Sequence, residues 1–229
     1  MPLIVLWDID HTLIDNAGVS KEIYAAAYTA LAGIPPVRPA STEGRTDRLI
    51  MRDMFLGHDK PVPAWATVEA ALAQAGGDRL GQLRTRGTVL PGVREALEAA
   101  SAHHGWVSSV LTGNIMPNAR VKLSAFGLDP LLDMTVGAYG ADAEQRPALV
   151  NVARQRIRNQ RHLQAETPLV LIGDTPRDVE AALTSGAEVI AVATGIHSQA
   201  ELAAAGAHMV VPDLSDTTSL LELLKALAE

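Results

Sequence analysis

At 229 residues, 48% of them hydrophobic and 20% charged, the chain is long enough to bury a full core and has the make-up of a globular protein. A net charge of −7 excludes a global basic field for nucleic acid or an anionic membrane, and the absence of cysteine excludes disulfides and thiolate metal sites. The start lacks the basic region of a secretory signal, and no stretch approaches the ~20 apolar residues of a membrane span, so the cytoplasm is the expected location.

The chain opens on an apolar run, Leu3 to Trp7 and then Ile9, suited to a buried central strand. Asp8 and Asp10 interrupt the carboxyl end of that run, and Thr12 lies just beyond. Ionised carboxylates at such a place are costly unless a cation or hydrogen bonds offset them. In a period-2 strand the two also project to the same side. The pair points to metal binding or to acid and base chemistry. The plainer alternative has one carboxylate capping the next helix and the other solvated in a loop.

Residues 14–86 read as a helical block with no strand. A helix over 19–31 stops at Gly33 and the Pro35-Pro36 breaker, and the polar turn over 41–47 leads into a second helix over 48–56. Pro63 can open a third helix running to Ala75 and closed by Gly76-Gly77, and Asp78 can cap a short fourth.

From Thr88 the pattern alternates. A helix begins at Pro91, and a strand over 106–111 ends in Thr112-Gly113-Asn114, which starts a helix to Phe126. A short strand is predicted over 134–137 and a basic helix over 147–161. A strand over 168–172 then runs into Gly173-Asp174-Thr175-Pro176-Arg177-Asp178. Strands over 188–193 and 209–211 and a C-terminal amphipathic helix complete the chain. This alternation argues for a parallel sheet with helices on both faces, and sites in such sheets lie at the carboxyl edge. The helical block, inserted after the first strand, is set beside that edge and can act as a lid.

Three apolar strands thus end in polar residues: Asp8, Asp10 and Thr12; Thr112, Gly113 and Asn114; Asp174 and Asp178. The series Asp8-Ile9-Asp10-His11-Thr12-Leu13, Leu111-Thr112-Gly113-Asn114 and Gly173-Asp174 through Asp178 resembles the motifs of the haloacid dehalogenase superfamily, and Leu90-Pro91-Gly92-Val93 is similar as well. The resemblance implies an α/β fold. It has a Rossmann-like three-layer α/β/α core with a parallel sheet (residues 1–14 and 88–229) and a small all-helical cap domain (residues 15–87).

The resemblance also implies roles. Asp8 matches the nucleophile, whose carboxylate forms an aspartyl-phosphate. Asp10 matches the general acid/base, which protonates the leaving oxygen and then takes a proton from water. Mg²⁺ is the expected cofactor, with Asp8, the carbonyl of Asp10 and Asp174 in its shell, and Asp178 as a further ligand or as an orienting residue. Thr112 and the amides of Gly113 and Asn114 would hold the phosphoryl group.

Two positions depart from the family pattern. Its usual Lys is missing between Thr135 and Leu163, and Arg146 is the best candidate to supply that cation for catalysis and phosphate binding. Lys122 is a second candidate, although its mid-helix context favours a solvated surface role. His11 stands where Gly is frequent, and a hinge position is favoured over a contact with substrate. Arg45, in Gly44-Arg45-Thr46-Asp47, can bind a second anionic group of the substrate; equally, this stretch is a turn with Thr46 as helix N-cap. The remaining histidines match no ligand spacing.

The expected function is a Mg²⁺-dependent phosphatase acting on a small phosphorylated metabolite, most similar to phosphoglycolate phosphatases. A mutase resembling β-phosphoglucomutase and a non-catalytic phospholigand-binding member are the alternatives. Dehalogenation is disfavoured, because dehalogenases carry no acid/base Asp at the position of Asp10. No nucleic acid or membrane partner is expected, and composition suits a monomer or a homodimer.

Overall fold

The computed structural model describes all 229 residues. Five parallel strands form the central sheet: β1 (Leu3–Trp7), β4 (Trp106–Val110), β5 (Leu169–Gly173), β6 (Glu188–Val192) and β7 (Met209–Val211). Their spatial order is β4-β1-β5-β6-β7, so β1 has a neighbour on each side. All five of its residues are buried, as an unbroken apolar run requires when both sheet faces are covered.

Alternation along β1 divides the core in two. Leu3, Val5 and Trp7 pack with α5 (Val93–Ala102), part of α6 (Met116–Ala125) and α10 (Thr217–Leu227). Ile4 and Leu6 face the opposite layer, built from α7 (Arg146–Arg161), α8 (Pro176–Thr184) and α9 (Gln199–Ala204). The result is an α/β/α sandwich, as the strand and helix alternation requires. No helix is long and apolar enough to cross a membrane.

Between β1 and α5 lie four helices: α1 (Val19–Ala32), α2 (Asp47–Leu56), α3 (Trp65–Gly77) and α4 (Leu80–Arg86). They share an apolar cluster of their own, including Ile23, Tyr28, Ile50, Phe55 and Leu72, to which α6 adds Ile115 from the turn before it. The chain enters and leaves this layer through β2 (Ile14–Asp15) and β3 (Thr88–Val89), paired antiparallel with Ile14 opposite Val89. The sequence reading had no strand here. A two-residue ribbon carries too little periodicity to be seen, and its pairing is set by residues more than seventy positions apart.

Two other expectations are corrected. Residues 134–137 form no strand, and only an isolated bridge joins Leu111 to Ala138. The Asp133 carboxylate accepts hydrogen bonds from the amide and hydroxyl of Thr135 at 3.1 and 2.6 Å, a local turn that competes with the ladder. The pair Gly76-Gly77 does not stop α3, which runs through both. A Cβ at Gly76 would sit 2.0 Å from Oδ1 of Asn118, so this glycine permits the close approach of α3 to α6.

Candidate active site

The carboxyl ends of β4, β1 and β5 are level, because Trp7 is in register with Val110 on one side and Ile172 on the other. The strand-end residues therefore converge in one cleft that encloses about 540 Å³, counting its mouth. Asp8, Asp10, Thr112, Gly113, Asn114, Arg146 and Asp174 all line it. Asp178 lies beneath, wholly buried.

Asp8, Asp174 and Asp178 offer carboxylate oxygens that all lie within 4.8 Å of one another. Burial, opposed by Arg146 and reinforced by Asp178 and Asp10, pushes the Asp8 carboxyl up to about 6. Asp174 is raised well above the usual carboxylate range by burial and by Asp178 and Asp8. Three buried hard-oxygen donors in mutual repulsion suit a small divalent cation, so the residues present fit the metal expected from the sequence. Gly195 leaves room for this arrangement, since a Cβ there would lie 1.9 Å from Asp174 Oδ2.

Arg146 stands at the first position of α7, 5% exposed, with its Nη2 3.0 Å from Asp8 Oδ2 and 2.6 Å from Asp178 Oδ1. The other oxygen of Asp178 accepts hydrogen bonds from the Thr175 amide and hydroxyl, closing the capping box of α8. Asp178 thus anchors Arg146 and the start of α8 at once. Its geometry favours the orienting half of the two roles expected from the sequence.

Asp10 is held from four sides. Lys122 Nζ donates to both its oxygens, at 2.6 and 2.8 Å, and Asn114 Nδ2 donates at 2.8 Å. Asn16 Nδ2 and Ser20 Oγ, from the helical layer, donate at 2.7 and 3.3 Å. Burial alone would raise the carboxyl; the Lys122 ammonium and the Lys122 and Asn114 hydrogen bonds outweigh it and hold Asp10 at about 2. The surface role for Lys122 is overturned, as the side chain is 1% exposed. A signal for this existed: Ile115, Asn118, Ala119, Lys122 and Leu123 follow helical spacing and mark one buried stripe of α6.

Thr112 is fully buried, and its Oγ1 accepts from Asn114 Nδ2 at 2.8 Å. The helix after it begins at Met116 rather than at Asn114, so the amides of Gly113 and Asn114 belong to the preceding loop. The Ile115 amide is taken by Asp47 Oδ2 at 2.8 Å, from the first turn of α2. Asp47 also accepts from the Tyr24 hydroxyl at 2.6 Å, and its own amide donates to the Gly113 carbonyl at 2.7 Å. A Cβ on Gly113 would lie 1.9 Å from the Arg45 carbonyl. The helical layer is therefore seated directly on the Thr112-Gly113-Asn114 loop. Sequence reasoning missed Asn16, Ser20 and Tyr24, which carry no motif and meet the site only through the fold, and it gave Asp47 only as part of the Gly44-Arg45-Thr46-Asp47 stretch, without its role as a seat.

Arg45 lines the cleft through the loop it belongs to, but its guanidinium pairs with Asp53 and points to the Ser41 carbonyl at 3.4 Å. Thr46 is the N-cap of α2, accepting from the Leu49 amide. His11 adopts a left-handed φ of 58°, and its amide donates to the Ile14 carbonyl at 2.8 Å, at the entrance to the β2/β3 ribbon. That is where the chain passes from the core toward the helical layer, and the positive φ is the conformation glycine takes most easily. His58 and His103 are remote, the first bonded to the Met54 carbonyl and the second stacked on Trp106.

A parallel α/β sandwich with acids at two adjacent strand ends and a Thr-Gly-Asn loop at a third, beneath a helical layer inserted after the first strand, defines a class of hydrolase. Residues 5–183 match the family of haloacid dehalogenase-like hydrolases, and the chain belongs to that family. Among curated relatives, "Probable phosphatase IndB" of Dickeya dadantii is 28% identical over 233 residues, covering 100% of this chain and 97% of that protein. Among solved structures, a hydrolase from Pseudomonas syringae superposes with a TM-score of 0.68 at 22% identity over all of both chains. A predicted phosphoglycolate phosphatase from Haemophilus somnus reaches a TM-score of 0.69 at 19% identity, covering 96% of this chain and 98% of that one. A putative β-phosphoglucomutase from Thermotoga maritima reaches 0.61 at 19%, covering 97% and 99%.

Proposed function

We propose that this enzyme is a Mg²⁺-dependent phosphatase that hydrolyses a small phosphate monoester through an aspartyl-phosphate on Asp8. The observation that carries the reading is the convergence of three strand ends on one cleft. Asp8 lies there among Arg146, Asp174 and Asp178, with Asp10 and the Thr112-Gly113-Asn114 loop lining the same space. Carboxylates for attack and metal binding thus stand beside donors for a phosphoryl group, which is what phosphoryl transfer requires. The name of the Dickeya relative, a probable phosphatase, supports the same activity.

In the first half, an Asp8 oxygen attacks phosphorus, the bond to the leaving oxygen breaks, and that oxygen takes a proton through Asp10, which receives it from the monoanionic phosphoryl group of the substrate. In the second half, water attacks the phosphorus of the aspartyl-phosphate and gives its proton to Asp10. Phosphate leaves and the Asp8 carboxylate is restored. Arg146, the Thr112 hydroxyl and the amide of Gly113 supply donors toward the phosphoryl oxygens. Asp8 and Asp174 would hold the divalent cation, which would supply charge neutralisation and Lewis-acid polarisation of the phosphoryl group. The helical layer acts as the cap, with His11 at its hinge and Asp47 as its seat, and excludes water during transfer.

The test is phosphate release from a panel of phosphorylated metabolites with and without Mg²⁺, using Asp8→Asn as the blank. Metal-dependent release that vanishes in the blank supports the reading. Equal release by the variant removes Asp8 from its role.

A further inference from the structure

The charge of the cleft beyond the phosphoryl site constrains what the rest of the substrate is. Two arginines line the cleft, and both are engaged: Arg146 with Asp8 and Asp178, Arg45 with Asp53. Lys122 lies beneath the lining, bound to Asp10 and Asn114. The wall contributed by the cap carries instead the hydroxyls of Ser20 and Thr42, the amide of Asn16 and the carboxylate of Glu43. Ile196 is the one aliphatic side chain of the lining.

Glu43 stands at the cap side of the cleft with its carboxyl below the ordinary range. Slight burial would raise it, but the amides of Glu43 and Thr42 and the nearby Lys21 outweigh that. Lys21 lies 3.7 Å from Glu43, half exposed and outside the lining, so its charge is directed at Glu43 from beyond the cleft. A carboxylate or second phosphate on the substrate would therefore meet a wall of hydroxyls and the Glu43 side chain, with both lining arginines already paired. Like charges brought together in a partly desolvated cleft repel, and burying an unpaired anion adds a desolvation cost.

We infer that the substrate is a phosphate monoester whose leaving group carries hydroxyls and no second negative charge, and that Glu43 enforces this selection. The inference rests on the phosphatase reading and deepens it. It sets phosphorylated polyols and sugars apart from phosphorylated acids such as phosphoglycolate.

Glycerol 3-phosphate and 3-phosphoglycerate test it directly, since they differ by a hydroxymethyl group in place of a carboxylate. With p-nitrophenyl phosphate as the turned-over substrate and Mg²⁺ present, each is added as a competitor to the full-length enzyme. Glycerol 3-phosphate is expected to give an inhibition constant at least tenfold lower than 3-phosphoglycerate. In Glu43→Gln that gap should narrow at least threefold, mainly through tighter binding of 3-phosphoglycerate. Equal constants, a preference for 3-phosphoglycerate, no competition by either, or a gap unchanged in Glu43→Gln would overturn the inference while leaving the phosphatase standing. Failure to hydrolyse p-nitrophenyl phosphate at all would instead bring down the phosphatase reading, and this inference with it.

Discussion

Lys122 Nζ lies 2.6 Å from one oxygen of Asp10 and 2.8 Å from the other, across 112 residues of chain, and also donates to Asn114 Oδ1 at 2.6 Å. The ammonium joins the end of β1 to the loop after β4 and fixes the Asp10 carboxylate at the cleft. Replacement by Met keeps most of the length of the side chain and removes the charge. Lys122→Met is expected to lower kcat by about 10- to 100-fold, the scale of a misplaced acid/base group, with little change in KM. Single-turnover kinetics should locate the defect in hydrolysis of the phosphoenzyme. A loss confined to KM would mean that Lys122 serves binding instead.

Arg146 bridges Asp8 and Asp178 through one nitrogen, Nη2. Arg146→Lys should reduce kcat/KM by about tenfold or more, since an ammonium in place of Nη2 leaves no second donor for the phosphoryl group. Arg146→Ala leaves two buried carboxylates without their cation and should cost about 3–5 kcal/mol of stability in the metal-free protein, read by urea unfolding.

Asp8 has a sign that can be checked. Its folded pKa of about 6 exceeds the ordinary Asp value of about 3.9, so the folded state binds this proton more tightly than the unfolded state. The stability it contributes is present below about pH 4 and is lost as pH rises to about 6. Asp8→Asn should therefore abolish turnover and yet stabilise the metal-free protein at pH 7 by about 1–3 kcal/mol, with a flatter pH profile between 4 and 6. Thermal melts across that pH window, with chelator present, supply the measurement.

Chelation should stop the reaction and lower the melting temperature at pH 7. Magnesium in hundredfold excess over its dissociation constant should return about 2.7 kcal/mol of stability. Calcium is expected to restore stability but little turnover, because its looser coordination misplaces the nucleophile. Parallel melting and phosphate-release assays separate the two effects.

Asp47 seats the cap by accepting from Tyr24 and from the Ile115 amide. Asp47→Ala leaves both donors without a partner and should cost about 1–3 kcal/mol. Because the seat rests on the Thr112-Gly113-Asn114 loop, KM is expected to rise as well. Tyr24→Phe, which removes only one of these bonds, should show a smaller shift in the same direction.

The sequence by itself determined the five strands of the main sheet, the helices between them, and the acids that follow β1 and β5. These are local signals: apolar runs broken by Asp, and helix starts marked by Pro, within a few residues of one another. Asp8, Asp10, Thr112 and Asp174 were legible for that reason, and Arg146 by its place before Pro147. Only the tertiary structure decided the partners. Whether Lys122 faces water or Asp10 depends on which stripe of α6 the sheet and cap cover. Whether Arg45 reaches a ligand depends on Asp53 lying beside it. The ribbon of β2 and β3, the seat at Asp47 and the acidic wall at Glu43 arise from segments that meet only after the chain has closed. Pairing across tens of residues is set by the summed packing of whole layers, and no short stretch of sequence carries that sum.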